Sequence, residues 1–181
     1  MLIALDFDDV ICTHTTERIR LAQESGFKLS TKQTHPSIMK EIMGKDVYLK
    51  LASQLYTVYT PQAEPTPGVA DLLKFLKARH QLIIITARGE KEKPYALDWL
   101  KKHKMESYFD KLIFVAYQDK TPFLQEEKVE VFIENSWNNL AWLPQNIIKI
   151  LYNPYQLPVP LTFPHFEAKN MVEIREVLSN L

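Results

Sequence analysis

The chain has 181 residues, enough for one domain with a sizeable core plus a modest insertion. Hydrophobic residues make up 46% and charged ones 24%, which excludes a disordered chain. Lys+Arg and Asp+Glu balance at 22 each, so no basic field recruits a nucleic acid polymer or an anionic membrane.

The first nine residues, Met1-Leu2-Ile3-Ala4-Leu5-Asp6-Phe7-Asp8-Asp9, read as a short strand buried on both faces that ends in carboxylates. Like charges crowded at a strand end repel and call for water or a cation. Asp6 and Asp8, two apart, address one spot while Phe7 turns back to the core. A polar turn after a strand is the plain alternative. Cys12, the single cysteine, excludes an internal disulfide and suits a reducing, cytoplasmic setting; its apolar context predicts a buried thiol. No signal-peptide pattern opens the chain, and no apolar run approaches the roughly 20 residues that span a bilayer.

From about 13 to 60 strand signals vanish. Helices are expected over Thr16–Gln23, stopping at Gly26, over Ser37–Met43 before Gly44, and over Asp46–Tyr56 with Asp46 as N-cap. This stretch, residues 13–60, reads as a small helical cap, with Pro61, Pro65 and Pro67 as a stiff return linker. Residues 1–12 and 61–181 then form the core domain. There, helices over Val69–Lys77, Pro94–Lys104, Thr121–Lys128 and Asn170–Asn180 alternate with strands. The strands are Gln81–Thr86, Lys111–Ala116, Val129–Ile133 and Ile147–Tyr152. That alternation predicts an α/β, Rossmann-like parallel sheet sandwiched by helices, with the cap inserted after the first strand.

In such a sheet the strands' carboxyl ends share one edge, which gathers Asp6, Asp8, Thr86, Lys120, Glu134 and Asn135. Two carboxylates, a hydroxyl, a cation and an acid/amide pair suit phosphoryl transfer, where charge on phosphate oxygens must be neutralised and one nucleophile aimed. The segments "LIALDFDDV", "LIIITAR", "DK" at Lys120 and "VFIEN", in that order, resemble the haloacid dehalogenase-like phosphohydrolases. "PTPGVADLLKFL" and "YNPYQ" are most similar to the 5′-nucleotidase-type branch with its small helical cap.

The resemblance implies a Mg²⁺-dependent hydrolase of small phosphomonoesters. Asp6 would be the nucleophile that forms an aspartyl-phosphate, and Asp8 the general acid and base. The presence of Asp8 also counts against dehalogenation. Thr86, Ala87 and Lys120 would bind phosphate oxygens. Mg²⁺ would be held by Asp6, the Asp8 carbonyl and a side chain from Glu134-Asn135. Asn135 departs from the pattern, since that branch has an aspartate there, and an amide should weaken the metal. A phosphotransferase or mutase with the same nucleophile, and a non-catalytic binding module, are the other classes open.

Around these, Arg88 is either a substrate contact or a partner of Glu90, and His14 either a substrate contact or a solvated hinge. Tyr48, Tyr56 and Tyr59 either stack on a nucleobase or fill the cap's own core. Trp99 is expected in the core, and Trp137 is a candidate pocket wall.

Overall fold

The computed structural model describes residues 1–160 and 162–181. β1 (Leu2–Leu5) leads through a tight turn to the two-residue strand β2 (Cys12–Thr13). Then come α1 (Thr15–Glu24), a 3₁₀ turn at Thr31–Thr34, α2 (Pro36–Met43) and α3 (Lys45–Leu55). β3 (Glu64–Pro65) returns the chain to α4 (Val69–Lys77), β4 (Gln81–Thr86), α5 (Lys93–Lys102) and β5 (Lys111–Phe114). α6 (Thr121–Glu126), β6 (Val131–Glu134), α7 (Trp137–Ala141), β7 (Ile148–Tyr152), β8 (Phe166–Ala168) and α8 (Met171–Ser179) complete it.

Six strands form one sheet in the order β5-β4-β1-β6-β7-β8, every neighbouring pair parallel. β1 lies inside it, Leu5 facing Ile84 on one side and Ile133 on the other. Successive side chains point to opposite faces, so two apolar layers follow. Ile3, Leu5, Leu82 and Ile84 pack with Leu73 and Leu76 of α4 and with Trp99 and Leu100 of α5. Ala4, Ile83, Ile85 and Phe132 pack with Leu124 of α6 and Leu140 of α7. Each such fully buried aliphatic side chain contributes about 1.5–3 kcal/mol.

Trp99 stacks edge-on against Phe7, centroids 5.4 Å apart, and donates its Nε1–H to the Ala63 carbonyl at 2.7 Å. This joins the turn after β1, the return strand and α5 at one point. Trp99→Phe keeps most of the packing and leaves that carbonyl without its donor. It should cost about 1–2 kcal/mol in a denaturant titration, with turnover unchanged once folded.

The residues between the two halves of the core cluster around Leu21, Leu29, Met39, Tyr48, Leu51 and Leu55, an apolar group of their own. Both connections to the core run side by side, because β2 pairs antiparallel with β3 and Thr66 N–H donates to the Ile11 carbonyl at 2.9 Å. The stiff proline linker expected here is therefore partly a ribbon. Two-residue strands are too short to show a period of two, so the sequence carried no sign of it.

Two further corrections concern helix ends and the sheet edge. Gly44, not Asp46, is the N-cap of α3, at φ +79°, and Asp46 sits in the first turn, where the helix dipole favours it. The sheet has a sixth strand, β8, which the sequence did not announce: it is three residues long with two of them exposed. At α8 the cap is Asn170, whose side chain accepts from Glu173 N–H at 2.9 Å. Asn170→Ala should lower stability by about 1 kcal/mol, read as a fall in melting temperature.

Candidate active site

All six strands run the same way, so β1, β4 and β6 deliver their following residues to one edge. A cleft of about 250 Å³ opens there between the sheet and α2–α3. Its walls include Asp6, Asp8, Ala87, Arg88, Lys120 and Glu134 from the sheet edge, with Tyr48 and Tyr56 opposite.

Asp6 immediately follows β1 and is almost wholly buried, its N–H donating to the Ile133 carbonyl at 2.9 Å. One carboxylate oxygen lies 2.8 Å from Lys120 Nζ, and the same ammonium donates to Glu134 Oε2 at 2.7 Å. Burial and the neighbouring Glu134 push the Asp6 carboxyl well above its ordinary range, while Lys120 opposes them. Burial works against the Lys120 charge, but the two carboxylates overcome it and hold the ammonium protonated above its usual value.

Glu134 has no exposed surface and no free lone pair to spare. Oε1 accepts from the N–H groups of Asn135 and Ser136, each at 3.0 Å, and Oε2 accepts from Lys120 and from Asn139 Nδ2 at 2.9 Å. In this arrangement Glu134 orients Lys120 and turns no free oxygen toward a metal.

Asp8 stands differently. Arg88 grips it as a fork, Nε to Oδ2 at 3.0 Å and Nη2 to Oδ1 at 2.8 Å, and His14 Nε2–H donates to Oδ1 at 2.9 Å. Burial alone would raise this carboxyl; the Arg88 guanidinium and the His14 bond overcome it and hold Asp8 well below the usual carboxylate range. Arg88 does pair with an acid, but the acid is Asp8 and not Glu90, and the guanidinium also lines the cleft. Its Nη1 also donates to the Tyr56 carbonyl at 3.1 Å, tying the sheet edge to the end of α3. His14 is fully buried, not a solvated hinge, and burial lowers its pKa so that it is neutral. His14, six positions along the chain, and Arg88, eighty positions along, meet at Asp8, and no spacing in the sequence announces that.

Thr86 is buried, and its hydroxyl accepts from Arg88 N–H at 3.3 Å; Ala87, not Thr86, lines the cleft. Tyr48 is buried in the helical layer, as the core-filling reading has it, and part of it also lines the cleft. Tyr56 packs edge-on against His14 at 5.7 Å, whereas Tyr59 carries Arg20 over its ring at 4.6 Å, away from the cleft. Cys12 is buried, as its apolar neighbours predict, and burial raises its pKa. Trp137 stacks on His35 with centroids 4.4 Å apart.

Two site residues escaped the sequence reading. His35, the N-cap of α2, accepts from Ser37 N–H through its Nδ1 and reaches the Asn135 carbonyl with Nε2 at 3.4 Å. Arg18 looks like one more charge on the outer face of a helix, yet it is buried and its Nη1 donates to Asp9 Oδ2 at 2.5 Å. Asp9 takes the left-handed conformation, φ +64°, which aspartate tolerates better than most residues. That turn is closed by Asp9 N–H on the Cys12 carbonyl at 2.7 Å.

Whether the site fits a divalent cation can be tested on its oxygens. Asn135 can turn its amide either way. One orientation donates to the Asp8 carbonyl at 3.2 Å and to Glu134 Oε1 at 3.0 Å; the other puts the amide oxygen at that same point, beside those two oxygens. Oxygens about 2.9 Å apart are what an octahedral Mg²⁺ gathers around itself. Four acidic side chains here, Asp6, Asp8, Asp9 and Glu134, face three cations, Lys120, Arg88 and Arg18, which leaves one formal negative charge to attract a cation. Among the described residues no cluster of three or more His, Cys, Asp or Glu side chains forms a metal cage. In the second orientation the oxygens brought together are the Asp8 carbonyl and the Asn135 amide oxygen, whereas with no cation between them the donating orientation is the satisfied one.

No protein-family model matches the chain. Over 108 residues it is 26% identical to a protein of Halalkalibacterium halodurans provisionally named a nucleotidase. That match covers 58% of this chain and 54% of the relative, so the chain spans about half the length of the curated relative it matches. Solved structures cover it almost completely. A haloacid dehalogenase-superfamily hydrolase from Ehrlichia chaffeensis superposes with a TM-score of 0.65 at 15% identity, over 99% of this chain and 96% of that one. A Bacillus subtilis protein titled a hydrolase of the same superfamily, solved bound to magnesium, gives 0.63 at 15% identity over 98% and 97%. Identities this low carry the fold, and the chain has the haloacid dehalogenase-like fold.

Proposed function

We propose that this chain, a haloacid dehalogenase-like fold with a helical layer over its sheet edge, hydrolyses small phosphomonoesters through an aspartyl-phosphate on Asp6. The observation that carries the reading is the buried row Asp6–Lys120–Glu134 on the floor of the cleft, with Lys120 2.8 Å from Asp6 and 2.7 Å from Glu134. A carboxylate is a poor nucleophile toward a dianion unless a fixed cation lies beside both, and Lys120 is fixed by its bond to Glu134.

In the first step an Asp6 oxygen attacks the phosphorus, the ester P–O bond breaks, and the departing alkoxide takes a proton. In the second, water attacks the phosphorus of the acyl phosphate, restoring Asp6 and releasing phosphate. Lys120 offsets charge on the phosphoryl oxygens throughout. Mg²⁺ held by Asp6, the Asp8 carbonyl and Asn135 would screen the same oxygens and favour in-line attack. Asp8 is the group placed to give and take the proton, but a carboxylate forked by Arg88 is not an acid. A bound phosphoryl dianion competes for that guanidinium, and drawing it away frees Asp8 to protonate.

A nucleoside monophosphate is the leading substrate class. It is supported by the name of the distant relative and by the aromatic walls Tyr48 and Tyr56. The test is phosphate release from a panel of phosphomonoesters, nucleotides included, with and without Mg²⁺. Metal-dependent turnover is expected, and none from any substrate at millimolar Mg²⁺ would overturn the reading. Alcohol acceptors added to the same reactions would expose a phosphotransferase as a new phosphoester product. Asn135→Asp adds a formal charge to the oxygen set and should lower the Mg²⁺ concentration for half-activation about tenfold; unchanged metal dependence would place the metal elsewhere.

A further inference from the structure

Tyr117 lines the reactive cleft, yet no step of the proposed reaction uses it. It lies on the connection from β5 to α6, three residues before Lys120, and is 63% exposed. The backbone of a tyrosine cannot supply that much surface, so the ring itself stands open. Holding it there costs strain. Ala116 and Tyr117 both take the left-handed conformation, at φ +49° and +63°, where a bulky side chain is rarely found. Three bonds keep them in it. Ala116 N–H donates to the Arg88 carbonyl at 3.1 Å, Tyr117 N–H to the Ala87 carbonyl at 2.7 Å, and the Tyr117 hydroxyl to Glu92 Oε1 at 2.8 Å. Glu92 is itself buried, and its other oxygen accepts from Gly89 N–H at 2.9 Å. Such strain persists only where the surroundings impose it, and it gathers at ligand clamps. A ring already fixed in place loses little freedom when a second ring covers it. Across the cleft stand Tyr48 and Leu49 of α3.

We infer that Tyr117 is a specificity-determining residue: its ring is the platform for a planar, aromatic leaving group whose phosphoryl group lies at Lys120. Aromatic faces and edges attract one another and gain less from a puckered ring of equal size. The hydroxyl proton is committed to Glu92, so Tyr117 selects flatness and not a particular hydrogen-bonding edge. This role rests on the phosphoester reading of the cleft and narrows it to esters whose alcohol carries an aromatic ring. An aryl phosphate and a nucleoside monophosphate are the two sources of that chemistry.

Paired phosphoesters test it by isothermal titration calorimetry on the full chain carrying Asp6→Asn, with Mg²⁺ present. The pairs are phenyl against cyclohexyl phosphate, and adenosine 5′-monophosphate against ribose 5-phosphate. In at least one pair the aromatic member should bind at least about fivefold tighter, and that pair names the source. Tyr117→Phe and Tyr117→Leu both lose the bond to Glu92 and differ in the ring alone, at a position too exposed to disturb the core. The phenylalanine variant should keep the preference and the leucine variant should lose it, while both bind cyclohexyl phosphate alike. No preference in either pair, no binding of either aromatic ester, or a preference equally kept or equally lost in the two variants would overturn the inference. Turnover by the wild type is read separately. Without turnover from any substrate, a ring-dependent preference would leave the platform standing and remove the hydrolase reading. Turnover without that preference would do the reverse.

Discussion

Asp6→Asn should reduce phosphate release by more than about a thousandfold while the protein stays folded. The substitution is nearly isosteric and leaves Lys120 its bond to Glu134 at 2.7 Å, so the floor of the cleft keeps its shape. An amide oxygen does not form a stable link to phosphorus, so the covalent route closes, and what survives is direct attack by water on a phosphoryl group bound by Lys120. Nucleophile removals in covalent enzymes leave rate losses of that order or larger, with residual catalysis from the remaining binding groups. Single-turnover phosphate release on both proteins measures it. A variant within tenfold of the wild type would remove Asp6 from the reaction.

Arg88→Met should destabilise the fold by about 3 kcal/mol at neutral pH, the largest stability effect expected at the site. It removes both prongs of the Asp8 fork and the bond to the Tyr56 carbonyl, leaving an acidic group, 14% exposed, with only His14 beside it. Breaking one partner out of a buried pair is costly because the other charge stays behind. The pH dependence gives the sign. Arg88 holds the folded Asp8 carboxyl below its unfolded value near 3.9, so the pair's contribution is complete above that pH and is lost as the pH falls toward the folded value. The stability gap between wild type and Arg88→Met, taken from denaturant titrations, should therefore narrow between about pH 5 and about pH 3. A gap constant over that range would mean that the ion pair is not its source.

The fold was legible where its signals are local. The run at β1, the β-branched Gln81–Thr86, and helices with apolar residues at 3.6 spacing gave the parallel sheet and its covering layers, because burial on both faces leaves a continuous apolar mark. Strand ends were legible too, which is why Asp6, Lys120 and Glu134 could be grouped before any coordinate placed both carboxylates within 2.8 Å of the Lys120 ammonium.

What a polar side chain pairs with was not legible. Glu134 as an orienter of Lys120, Arg88 on Asp8 and His14 in the interior are all settled by which oxygen lies within reach after folding. Arg18 shows the point most clearly. On α1 it reads as a solvated charge, and only the approach of the turn carrying Asp9 makes it a buried one. β8 escaped for the opposite reason: its pairing with β7 is held by backbone bonds, to which side-chain pattern contributes almost nothing.

The most direct measurement of the central claim is the covalent intermediate itself. The protein would be mixed with a turned-over phosphomonoester and Mg²⁺, quenched in acid within the first turnover, digested, and its peptides weighed. The account predicts one added phosphoryl group on the peptide containing Asp6, appearing before free phosphate and absent from Asp6→Asn. Turnover at full rate with that peptide unmodified, or with the phosphoryl group on another residue, would contradict it.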